Sequence, residues 1–182
     1  MLSFEMPRTL LLLTLLASAA TTPAQWTLQD AHTTADLRGI DNLGGGVAWA
    51  SGSNGTILRT EDAGFVWQLC AKPPNAEHLD FRAIQAFDNN TAIIMSIGKG
   101  DQSRLYKTTD GCQTWKLMAT NPDKDGFWDA FRPFVESASA GKTEKEERES
   151  QFLILGDAVG STPKVWQFDE DDDPPLQPRY DV

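Results

Sequence analysis

An eight-residue motif that occurs twice limits what this chain can fold into. Residues 60–67 read Thr-Glu-Asp-Ala-Gly-Phe-Val-Trp, and residues 108–115 read Thr-Thr-Asp-Gly-Cys-Gln-Thr-Trp. Both follow the pattern S/T-x-D-x-G-x-T-W with one departure each, and their starts, Thr60 and Thr108, lie 48 residues apart. Self-similarity at such a period marks a stacked or radial repeat, in which one supersecondary unit recurs.

The similarity reaches upstream of the motif. Asp36-Leu37-Arg38-Gly39-Ile40 matches Asp80-Phe81-Arg82-Ala83-Ile84, both reading Asp-apolar-Arg-small-Ile. The runs 47–52 and 92–98 are apolar and end in Gly, and 56–60 and 104–108 each lead into the motif. After each Trp comes one more short run, Gln68-Leu69 or Lys116-Leu117-Met118. Short runs rich in branched and aromatic residues, bounded by turn residues, are strands. Asn54-Gly55 is a hairpin turn, because both residues tolerate positive φ. No segment shows a sustained helical period. Each unit therefore reads as a four-stranded antiparallel meander, and such units of about 45 residues are β-propeller blades.

The expected fold class is all-β, with blades at about 36–70, 80–119 and 127–168. The third is expected to be partial. Phe127 to Phe131, Phe152 to Gly156 and Val165 to Phe168 supply three strands, with a charged insertion at 137–150 that reads as an exposed loop or at most a short surface helix. No third motif follows. The chain turns acidic at Asp169 to Asp173 and then reaches Pro174-Pro175, so 169–182 reads as an acidic, solvated tail.

Every residue of the motif has a local structural role. Asp62 and Asp110 can accept hydrogen bonds from turn amides. Gly64 takes positive φ without strain. Thr60, Thr108 and Thr114 offer hydroxyls, and Trp67 and Trp115 offer large rings to bury beneath the turn, each with an indole N–H to satisfy. Cys112 stands where Gly64 stands in the first copy, so it reads as a substitution within the repeat rather than half of a pair with Cys70. Spacing alone does not show two cysteines to be close.

The amino terminus reads as an export signal over residues 1–24. It combines Arg8, an apolar run from Leu10 to Leu16, and small residues ending at Ala24. The run is shorter than the roughly 20 residues a membrane span needs. The expected location is periplasmic or extracellular, with no membrane contact beyond the signal. A formal net charge of −10 argues against a nucleic-acid partner, since phosphate recognition needs a basic footprint.

The motif identifies the units as Asp-box, or BNR, repeats. The phrases at 80–84 and 104–110, with Leu155-Gly156-Asp157, resemble exported bacterial proteins similar to the photosystem II stability/assembly factor. The resemblance covers roughly residues 26–168 and implies a ring of about seven blades, of which this chain would be an amino-terminal part. Trp26-Thr27-Leu28 resembles the outer strand that completes the last blade of such a ring. The resemblance also implies a non-enzymatic scaffold that binds a protein or peptide partner. Arg38 and Arg82, at equivalent places in the first strand of their units, are the candidate partner-binding residues, because that strand lines the channel of a propeller. Their alternative role is an ion pair with Asp36 or Asp80 of the same unit.

Enzymatic readings have weaker support. Relatives sometimes carry an oxidoreductase label, but no flavin, nicotinamide or metal motif is visible, and no cofactor is expected. Phe131-Arg132-Pro133-Phe134 is similar to a sialidase F/Y-R-I-P motif, yet it lacks the Ile and follows both Asp-boxes instead of preceding them. No catalytic residue is assigned.

Overall fold

The computed structural model describes residues 27–134, 141–159, 162–172 and 175–179, so the expected export signal and Trp26 lie outside the described residues. Three four-stranded antiparallel sheets follow one another along the chain, each with its strands in sequence order. The first holds β1 (Leu37–Gly44), β2 (Val47–Gly52), β3 (Ile57–Thr60) and β4 (Gln68–Leu69). The second holds β5 (Asp80–Ala86), β6 (Ala92–Ile97), β7 (Arg104–Thr108) and β8 (Lys116–Thr120). The third holds β9 (Trp128–Pro133), β10 (Gln151–Val159), β11 (Thr162–Asp169) and β12 (Leu176–Arg179). This is the succession of blades that the repeat predicts. Asn54 and Gly55 both take positive φ, at 56° and 67°, as the hairpin turn requires.

Strand pairing puts the three sheets in one register. Ile40 pairs with Ala50, Ile84 with Ile94, and Phe131 with Ile154. Side chains alternate across each sheet, so one set faces the preceding sheet and the other the following one. Trp49 of the first sheet packs with Phe81, Ile84 and Ile94 of the second in one buried cluster. Ile93 and Met95 of the second pack with Trp128, Phe131, Phe152 and Ile154 of the third in another. The core is thus two apolar joints between successive sheets. The first strands β1, β5 and β9 lie next to one another along the inner side.

Several sequence expectations need correction. The third sheet is not partial: Leu176–Arg179 pairs with β11, from Val165 opposite Arg179 to Phe168 opposite Leu176. Asp169 to Asp172 turn back ahead of it, with the Asp171 amide donating to Asp169 Oδ1 at 3.0 Å and the Asp169 amide to the Pro175 carbonyl at 2.8 Å. Pro178 is tolerated because β12 is an edge strand. Nor is the acidic run simply solvated. Glu170 accepts from Lys116 Nζ at 2.8 Å and Lys107 Nζ at 3.4 Å, which ties the turn to the second sheet.

Cys112 is half of a pair after all. It forms a disulfide with Cys70, with Cα atoms 5.4 Å apart. Cys70 directly follows β4, and Cys112 sits on the motif turn of the next sheet. The radial arrangement brings these places together, although they are 42 residues apart in sequence. The Ala71 amide donates to the Cys112 carbonyl at 3.2 Å beside the disulfide.

Trp67 and Trp115 differ in burial. Trp115 is buried, and its indole N–H donates to the Ala71 carbonyl of the preceding unit at 2.9 Å. Trp67 is only half-buried, because among the described residues no sheet precedes the first. Thr27 and Leu28 form no strand, and Leu28 is fully exposed.

Within the insertion, Glu144–Arg148 forms one short helix, capped at Thr143 by reciprocal bonds with Glu146. Lys145 pairs with Asp88 on the β5–β6 turn at 2.6 Å, which holds the helix against the second sheet.

Candidate binding face on the inner strands

The two motif turns use their polar groups locally. Thr60 Oγ1 donates to Asp62 Oδ1 at 2.8 Å and accepts the Gly64 amide at 3.0 Å, while Asp62 Oδ1 accepts the Val66 amide at 2.9 Å. Thr108 Oγ1 likewise donates to Asp110 Oδ1 at 2.8 Å and accepts the Cys112 amide at 3.1 Å. Asp110 also accepts the Thr114 amide at 2.9 Å and the Thr114 hydroxyl at 2.6 Å. Two consecutive left-handed residues make each turn: Ala63 and Gly64 at φ 62° and 88°, Gly111 and Cys112 at 70° and 66°.

These bonds stabilise the charged carboxylates. The Thr114 hydroxyl and amide, helped by Thr108 and the Gln113 amide, bring the Asp110 carboxyl down to about 2. The Val66 amide and Thr60 hydroxyl lower that of Asp62. A carboxylate committed to its own turn and ionised through the neutral range is poorly placed for proton transfer.

The arginines occupy a different place. Arg38 lies near the start of β1 and Arg82 near the start of β5, at matching registers. The equivalent residue of β9 is Asp129. Their ion pairs reach across the joints more than within a unit. Arg38 Nε lies 2.8 Å from Asp80 Oδ1 of the next sheet, with Asp36 of its own unit at 3.8 Å. The Arg82 guanidinium lies 3.9 Å from Asp129, again of the next sheet. Their side chains remain 42% and 53% exposed.

Two carboxylates that sequence reasoning did not single out complete this edge. The Asp157 amide donates to the Phe127 carbonyl at 2.8 Å. A Cβ on the adjoining Gly156 would come within 2.9 Å of that same carbonyl, so the close approach needs glycine. This crossing brings Asp157 against Asp129. Burial and then the Asp157 carboxyl push the Asp129 carboxyl above its ordinary range, while Arg82 acts in the opposite sense. The sequence offered Gly156-Asp157 only as part of a phrase shared with the resembled family, and the nearness of Asp157 to Asp129 arises once β9 and β10 lie side by side.

At the other end of the inner strands a cleft of about 550 Å³ opens below the insertion helix, lined by Asp41, Gln85, Phe87, Lys145 and Arg148 among others. Asp41 is already engaged there, accepting from Gln85 Nε2 at 2.7 Å and from the Ala86 amide at 2.8 Å. Among the described residues, no group of three or more His, Cys, Asp or Glu side chains is placed to hold a metal ion. Arg132, of the sialidase-like phrase, lies exposed on β9 beside Leu153 and Leu155.

The architecture has solved counterparts. YCF48 bound to D1 peptide is similar over 80% of this chain and 41% of its own length, with 18% sequence identity and a TM-score of 0.54. YCF48 from Cyanidioschyzon merolae is similar over 85% of this chain and 43% of its own length, with 19% identity and a TM-score of 0.54. No protein-family model and no curated protein sequence matches the chain. The chain therefore has the fold of these YCF48 structures, and it spans about two fifths of their length.

Proposed function

We propose that this chain is a non-enzymatic binding scaffold that captures a carboxylate-bearing peptide on the inner-strand edge. The observation that carries the reading is the recurrence of Arg38 and Arg82 at one register of adjoining inner strands, both partly exposed. A guanidinium presents a planar fork of donors that matches a carboxylate, and two side by side suit an extended segment with acidic side chains or a free carboxy terminus. One structural neighbour carries a bound peptide, which supports the same use of the fold. The motif aspartates are spent on their own turns, which favours a scaffold over a catalyst.

Export belongs to this reading. Arg8, the apolar run 10–16 and the small residues up to Ala24 support a cleaved leader. The Cys70–Cys112 disulfide adds support, because such bonds persist in oxidising compartments.

The test is fluorescence anisotropy with a fluorescein-labelled peptide of alternating Asp and Ala, beside a neutral Ser/Ala control. The expected result is saturable binding of the acidic peptide, weakened tenfold or more in Arg38→Ala/Arg82→Ala. Equal affinity of wild type and double variant, or no preference for the acidic peptide, contradicts the reading.

A further inference from the structure

The charged insertion takes no part in the binding face at Arg38 and Arg82. A unit's first strand connects to its second through residues 45–46 in the first sheet and 87–91 in the second, but through 134–150 in the third. The insertion helix is tied to the second sheet at two points. Lys145 Nζ lies 2.6 Å from Asp88, and Lys107 Nζ donates to the Glu149 carbonyl at 3.0 Å. The cleft of about 550 Å³ below it has the size of a small-molecule site.

Two oxygens on the strand side of this cleft are set in advance. Both bonds to the Asp41 carboxylate fall on Oδ2, from Gln85 Nε2 and the Ala86 amide. Gln85 Nε2 also donates to the Ala86 carbonyl at 3.2 Å. An amide group beside two acceptors must turn its NH₂ towards them, which sends Gln85 Oε1 the other way. Asp41 Oδ1 and Gln85 Oε1 accept no bond among the described residues, and both side chains are half-buried and border the cleft. A fixed carboxylate oxygen and a fixed amide oxygen suit a primary ammonium, which carries three N–H donors.

The helix side offers the opposite charge. Lys145 is committed to Asp88, but Arg148 is exposed, borders the same cleft and makes no ion pair among the described residues. Its guanidinium suits a carboxylate. Glu144 adds a second carboxylate to the rim, so a simple anion meets repulsion that an ammonium-bearing ligand offsets. Leu43 and Phe87 supply apolar wall.

We infer that this cleft binds a small zwitterion of dipeptide length, its ammonium on Asp41 Oδ1 and Gln85 Oε1 and its carboxylate on Arg148. An extended dipeptide spans about 7 Å, and an apolar side chain on it would lie against Phe87. The site is at the opposite end of the inner strands from Arg38 and Arg82 and does not depend on peptide capture there.

The test is isothermal titration calorimetry of the full chain with the dipeptide Ala-Leu, beside N-acetyl-Ala-Leu and Ala-Leu amide. Saturable one-to-one binding of Ala-Leu is expected, weakened tenfold or more by either cap. Arg148→Ala, at an exposed position, should keep the wild-type circular dichroism spectrum and bind Ala-Leu no better than wild type binds Ala-Leu amide. Arg38→Ala/Arg82→Ala should bind Ala-Leu as wild type does. Absence of saturable binding, equal affinity for the three peptides, or full affinity in Arg148→Ala overturns the inference.

Discussion

The Trp115 indole N–H donates to the Ala71 carbonyl at 2.9 Å across the joint between the first and second sheets. The motif therefore does more than staple its own turn, since its tryptophan anchors one blade to the blade before it. Trp115→Ala is expected to cost about 3–5 kcal/mol, in the range for losing a buried large side chain. Trp115→Phe, which keeps a ring but leaves the carbonyl without this donor, should cost roughly 1 kcal/mol from the bond. Trp67→Ala should cost clearly less than Trp115→Ala, because Trp67 is only partly buried. Urea denaturation of the three variants checks this ordering, and equal losses at the two tryptophans contradict it.

The disulfide makes a second prediction. Its 42-residue separation corresponds to about 4 kcal/mol of chain-entropy stabilisation. Cys70→Ser/Cys112→Ser should lose a large part of that and become insensitive to dithiothreitol, while wild type should lose stability on reduction. Cys112 has φ 66°, a region that costs a non-glycine residue about 1–2 kcal/mol. Cys70→Ser/Cys112→Gly should therefore melt above the double serine variant, and the reverse order argues against the left-handed turn.

Acid should unfold the protein partly through Asp110. Its folded carboxyl titrates at about 2, against an ordinary 3.8. A depressed carboxyl contributes stability that is complete above its unfolded value and is lost as pH falls through its folded one. The window here runs from about pH 4 down to about 2. Asp110→Asn should be less stable than wild type at pH 7, with a shallower decline across that window. Melting temperatures from pH 2 to 7 give the comparison, and parallel curves refute the assignment. Asp88 shares the window. Burial raises its carboxyl, but the bond to Lys145 and the Asn90 and Thr91 amides outweigh that and bring it to about 2.

Periodic features were readable in advance, and features made by proximity were not. Asp36-Leu37-Arg38 against Asp80-Phe81-Arg82 placed the inner strands and the paired arginines, because matching positions in a repeat adopt matching geometry. The pair of Arg38 with Asp36 of its own unit was legible, but the pairs of Arg38 with Asp80 and of Arg82 with Asp129 were not, since those carboxylates belong to the next sheet and the joint creates the contact. Cys70 and Cys112 met for the same reason. The strand at Leu176–Arg179 went unrecognised because the acidic turn before it lacks the motif that marks the other two turns, and Pro178 hides its strand character. Trp67 looked equivalent to Trp115 in sequence, and its exposure became evident only once the neighbours on each side were known.

Capture of an acidic peptide on the inner-strand edge at Arg38 and Arg82 can be read residue by residue from amide chemical shifts during titration with the Asp/Ala peptide. Saturable shifts are expected at the starts of β1, β5 and β9, around Arg38, Arg82 and Asp129, with matching loss in Arg82→Ala. Shifts confined to the outer faces around Trp67 or Leu155, or to the cleft beside Arg148, would contradict it.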